Sequence, residues 1–65
     1  MEKDDVVDTL NTLIETCKDG EYGFNTSAEH VRSANLRQVF TARALECREA
    51  ALELQRLVRQ YGGEA

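Results

Sequence analysis

The chain contains no proline, so none of its 65 residues blocks a helix through that residue's missing N–H and fixed backbone angle. There is no low-complexity tract, and the one adjacent glycine pair, Gly62-Gly63, lies at the end, so no linker divides the sequence and one small unit is expected. Long apolar runs are also absent; a membrane span needs about 20 such residues, and a membrane role is excluded. Met1 is followed by Glu2, Lys3, Asp4 and Asp5, which do not form a secretory signal, and a soluble cytoplasmic protein is expected. Cysteine is scarce: Cys17 and Cys47 stand alone, with no second ligand pair to make a zinc motif. A cytoplasmic setting disfavours a disulfide between them, and both read more readily as small core residues. No nucleophile–base pairing, phosphate-cradling glycine loop or cofactor fingerprint is present, so no catalytic residue is assigned and a non-enzymatic role is favoured.

Net charge is −4, and its distribution is uneven. Residues 1–31 carry two lysines against eight acids, whereas residues 32–65 carry six arginines against four acids. An acidic first half and a mildly basic second half suit two segments that pack on each other. No cationic patch stands apart from acids to neutralise phosphates, which disfavours nucleic acid as a partner.

Helical periodicity is abundant. Val7, Leu10, Ile14, Cys17, Glu21, Phe24, Ala28 and Val31 alternate in steps of three and four, which holds all of them on one stripe of an α-helix. Asp4 or Asp5 is the expected N-cap of that helix, with Asp8 adding favourable charge to its first turn. Ser33 is the expected N-cap of a second helix whose stripe is Leu36, Phe40, Arg43, Cys47, Ala50, Leu54, Leu57 and Tyr61, widened by Ala44, Ala51 and Val58 on one side and Val39 on the other. It should end at Tyr61-Gly62-Gly63, where glycine accepts the left-handed conformation, with Arg59 against the negative end of the helix dipole. The spans predicted are about 4–31 and 34–61, joined by a turn at 32–35. So short a turn forces an antiparallel hairpin in which positions summing to about 67 lie side by side.

The fold class is therefore all-α. One hairpin with a single seam buries too little apolar surface to offset the entropy of ordering its residues, and Val6 and Leu13 widen the first stripe beyond one seam. A second hairpin completing a four-helix bundle supplies the missing surface, so self-association into a homodimer or higher oligomer is expected. Leu45 and Leu52, seven apart on the far side of the second helix, are either two exposed leucines or a further contact surface. Gly20, Gly23 and Ser27 form a strip of small residues that fits close helix packing better than a π-bulge.

Glu21 interrupts the first stripe, and a carboxylate away from water needs a compensating partner. The hairpin register sets it beside Glu46, Arg43 and, further out, Glu49. Arg43 offers a buried Glu21–Arg43–Glu46 ion-pair cluster that fixes register without a metal, and this is the favoured reading. The alternative is a carboxylate metal site of Glu21, Glu46 and Glu49, in which Glu46 and Glu49 stand where di-iron bundles carry Glu-x-x-His. The only histidine, His30, lies away from the stripe, so such a site suits oxygen-preferring ions such as Mg²⁺, Ca²⁺ or Mn²⁺. Tyr22 lies off the stripe and Tyr61 reads as a core-edge residue; neither is given a catalytic role.

The segment Leu10-Asn11-Thr12-Leu13-Ile14-Glu15-Thr16-Cys17-Lys18-Asp19-Gly20-Glu21-Tyr22-Gly23-Phe24 resembles the opening of a bacterial family of ferritin-like four-helix-bundle proteins of unknown function. Ala44-Leu45-Glu46-Cys47-Arg48-Glu49-Ala50-Ala51-Leu52-Glu53-Leu54-Gln55 and the ending Leu57-Val58-Arg59-Gln60-Tyr61-Gly62-Gly63 resemble it too, so the likeness covers essentially the whole chain. It implies a ferritin-like bundle, of which this chain resembles the N-terminal hairpin, and it carries no reaction. Ferritin-like ligation transfers onto Glu21 and Glu46 alone, with iron or manganese as the metal. Encapsulated ferritins supply a fold-level analogy, since their two-helix protomers dimerise and place carboxylates at the interface.

Overall fold

The computed structural model describes residues 2–62 and consists of two helices, α1 (Lys3–His30) and α2 (Ala34–Gln60), packed antiparallel. The molecule is a rod of 47 × 16 × 14 Å. Its radius of gyration is 14.4 Å, whereas a compact globule of this length would have about 11 Å. The excess follows from two long helices meeting along one seam.

The first helix begins earlier than its aspartates predict. Glu2 is the N-cap, with no side-chain hydrogen bond, and the Val6 N–H already donates to the Glu2 carbonyl at 3.1 Å. Asp4 and Asp5 lie within the first turn, where they act on the helix dipole instead of capping. The helix runs without a break through Gly20 and Gly23 to His30, and Val31 leaves it in extended conformation. Ser33 caps α2 by accepting the Leu36 N–H at 3.2 Å. Arg37 returns across the turn to donate to the Val31 carbonyl at 3.1 Å, tying the two helix ends together. At the far end Gly62 adopts φ +79°, and its N–H donates to the Arg59 carbonyl. Gly63 of the expected cap lies outside the described residues.

The seam of α1 follows the predicted stripe, with Leu10, Ile14 and Ala28 buried. The seam of α2 follows only the widened side of its predicted stripe. Its buried residues are Ala44, Ala51 and Val58, while Leu36, Arg43, Ala50 and Tyr61, all placed on the predicted stripe, remain exposed. The helix is rotated by about one residue relative to the pattern of its large side chains. The helices approach closely at one level, where a β-carbon on Gly20 would stand 3.0 Å from Cys47 Sγ. Phe24 and Phe40 stack near the turn with centroids 6.2 Å apart. Leu10, Ile14 and Val58, with Val6, Val7, Leu54 and Leu57 against them, form the core at the opposite end.

Candidate functional site

The rotation of α2 divides the hairpin into two unlike broad faces. Because the helices run in opposite directions, residues one place before each seam residue fall on the same side of both. On that side α1 carries Val6, Leu13, Gly20 and Ser27, and α2 carries Arg43, Ala50 and Leu57. Residues four places after the seam residues fall on the other side: Asn11, Lys18 and Asn25 from α1, Arg48 and Gln55 from α2. One face is thus apolar or small apart from Arg43; the other is polar at these positions and carries Leu45 and Leu52 one place after the seam.

Large apolar side chains are exposed on both faces, with Leu45 and Leu52, one place after the seam residues Ala44 and Ala51, on the second. Leu13, Leu36 and Tyr61 are 44%, 48% and 44% exposed, and all three stand on or beside the apolar face. A shallow apolar depression of about 290 Å³ on the α1 side of this face is lined by Gly20, Gly23, Phe24 and Ser27. Gly23 has open space where a β-carbon would stand, whereas one on Gly20 would meet Cys47.

Arg43 is the one charged group among the residues that precede the seam. Its Nη1 donates to both Glu46 carboxylate oxygens, at 2.6 and 3.1 Å, one turn away on the same helix. Within a single chain the pair lies in solvent, with side chains 53% and 60% exposed. Glu21 sits on the seam, half-buried, and is not paired with Arg43. It opens toward the polar face, where it lines a groove of about 210 Å³ with Asn25, Thr41, Ala44, Leu45 and Arg48. The expected three-residue cluster is therefore split in one chain. Arg43 and Glu46 occupy the apolar face, and Glu21 looks the other way because Ala44, not Arg43, takes the seam position. Glu49 is exposed on the outer side of α2. Among the described residues no three His, Cys, Asp or Glu side chains converge in a metal-binding group.

His30 is exposed, and its Nδ1 lies 2.7 Å from the Thr26 carbonyl. A carbonyl only accepts, so Nδ1 carries the proton in this contact. Cys17 and Cys47 are free and half-buried along the seam. Tyr22, Leu45 and Leu52, each one place after a seam residue, are exposed on the second face, where Leu45 lines the groove beside Glu21. The residues that sequence periodicity undervalued are Ala44 and Ala51. Their seven-residue spacing with Val58 set them beside the stripe, but their small size ranked them below its large side chains.

A family model described as Domain of unknown function (DUF2383) matches residues 5–65. Neither the curated proteins nor the solved structures contain a match to the chain.

Proposed function

The chain belongs to the DUF2383 family, and we propose that it is a non-enzymatic helical-hairpin module that self-associates, two hairpins forming a ferritin-like four-helix bundle. The observation that carries this reading is the large apolar side chains the single hairpin leaves exposed: Leu13, Leu36 and Tyr61 beside a strip of small residues on one broad side, and Leu45 and Leu52 on the other. A face of 47 by 16 Å has a footprint of roughly 750 Å². Two copies then bury roughly 1,500 Å², within the range of stable protein interfaces. The resemblance of the Leu10–Phe24 and Ala44–Gln55 segments to ferritin-like bundles supports the architecture. In such a bundle Arg43 and Glu46 leave solvent and become a buried polar pair, which sets register and leaves the apolar packing to supply stability.

Sedimentation velocity at micromolar concentration tests the reading. Wild type should sediment at twice the chain mass or more. Leu13→Lys, on the apolar face, should reduce the mass to one chain and lower the helix content, whereas Leu52→Lys, on the opposite broad face, should leave both unchanged. A folded wild-type monomer would overturn the proposal, and dissociation by Leu52→Lys would move the interface elsewhere.

A further inference from the structure

We infer that the apolar face is covered by a second copy turned end for end, with each Leu13 seated in the other copy's depression between Gly20 and Ser27. This rests on the self-association reading and adds its orientation and register. Two hairpins stacked face to face about a two-fold axis have two arrangements. An axis along the rod sets α1 on α2, with both inter-helix turns at one end. An axis across the rod sets α1 on α1 and α2 on α2, antiparallel, with the turns at opposite ends.

Shape separates the two. On this face α1 carries both an exposed large side chain, Leu13, and an apolar depression lined by Gly20, Gly23, Phe24 and Ser27. A knob and a hole on one helix are self-complementary when that helix meets its own copy antiparallel, so the axis across the rod seats both leucines at once. Gly20 stands level with Cys47, and this register decides what the axis along the rod would bring together. The depression would lie over Arg43 and the Glu46 carboxylate it holds, and Leu13 would lie over Leu54. That arrangement sets an ion pair on the bare apolar strip and one leucine on another.

The two helices place the axis at the same level independently. On α1, the point midway between Leu13 and the centre of the depression falls at Lys18–Asp19. On α2, the point midway between Leu36 and Tyr61, the exposed large side chains near its two ends, falls at Arg48–Glu49. The Gly20–Cys47 register puts these two points level with each other. One axis therefore seats Leu13 and also brings Leu36 of each copy against Tyr61 of the other. Beside the axis the side chains on this face are small, Cys17 coming level with Gly20 and Cys47 with Ala50. Charge does not oppose α1 on α1, since Asp8, Glu15 and Glu29 project from the side of the helix away from this face.

Dipolar electron–electron distance measurement decides the orientation in the full chain. Cys17 and Cys47 are replaced by alanine, or by serine should the alanine background unfold, and circular dichroism checks that each sample stays helical. Nitroxides are attached at Arg32→Cys, in the turn, or at Gln60→Cys, at the opposite end, and the two labelled chains are measured separately and after refolding together. Each alone should give an inter-copy distance of about 35 Å or more, from the 1.5 Å rise per residue. The mixture alone should add a distance under about 30 Å, two helix spacings plus the label arms. Short distances in both separate samples would overturn the orientation while leaving self-association intact, and no dipolar modulation in a helical sample would overturn both. The seating of Leu13 is read by sedimentation of Gly23→Leu, which fills the depression where the hairpin itself leaves open space. Its mass should fall to one chain, and an undiminished mass would overturn the seating.

Discussion

Cys47 Sγ stands 3.0 Å from the position a β-carbon on Gly20 would take, so these two residues set how closely α1 and α2 approach. Gly23, three positions on, has nothing within 4 Å of the equivalent point. Replacing a mid-helix glycine by alanine ordinarily stabilises by about 1 kcal/mol. Gly23→Ala should show that gain in the hairpin, and Gly20→Ala should fall short of it by about 1 kcal/mol because Cys47 must move. In a Cys47→Ala background the difference should close. Chemical denaturation of the four variants at one fixed protein concentration checks this, with a coupling below about 0.5 kcal/mol between positions 20 and 47 contradicting it.

The helix ends provide a second comparison. Ser33 accepts the Leu36 N–H, and Ser33→Ala should cost about 1 kcal/mol. Glu2 occupies the other N-cap without a side-chain hydrogen bond, so Glu2→Ala should change stability far less. Gly62 holds φ +79°, and Gly62→Ala should cost about 1 kcal/mol for the left-handed backbone; the Lys3 ammonium near its α-carbon is the end of a flexible chain and can withdraw. Thermal melts of the three variants rank them directly, and equal effects of Glu2→Ala and Ser33→Ala would contradict the capping geometry.

Two ion pairs of the same spacing act as probe and control. Arg43–Glu46 lies on the apolar face, and Arg56–Glu53, with side chains 67% and 64% exposed, lies on the outer side of α2. An exposed pair of this kind contributes about 0.3–0.5 kcal/mol. A double-mutant cycle at Arg56 and Glu53 should return that value at any protein concentration. The cycle at Arg43 and Glu46 should exceed 1 kcal/mol once the bundle covers the pair, because removing one partner leaves the other buried and unpaired. Coupling between Glu21 and Arg43 should be small, since α2 turns them to opposite faces. With Glu46 engaged by Arg43, addition of Mn²⁺ or of a chelator should leave the melting temperature unchanged; a rise with Mn²⁺ would favour the carboxylate site instead.

Most of the hairpin was legible in the sequence because its determinants are local. The three-and-four spacing from Val7 to Val31 marks the α1 seam, and Ser33 marks the start of α2 through a cap that needs no tertiary context. The Gly20–Cys47 contact agrees with the register expected from a short turn. The rotation of α2 was not legible, since hydrophobic periodicity weights Leu36, Leu54 and Tyr61 above Ala44 and Ala51. Glu21 was singled out on the premise of burial, yet the small Ala44 opposite leaves it a groove open to water, so it needs no cation beside it. The Asp4 and Asp5 caps failed because Glu2 carries the helix one half-turn further.

The most direct test of self-association is equilibrium urea denaturation of the unmodified chain at two protein concentrations a hundredfold apart. If folding and dimerisation are one event, the hundredfold increase stabilises the folded state by about 2.7 kcal/mol and moves the midpoint to higher urea. A midpoint that stays fixed, in a chain that begins fully helical at both concentrations, would mean that one hairpin folds alone and would contradict the account.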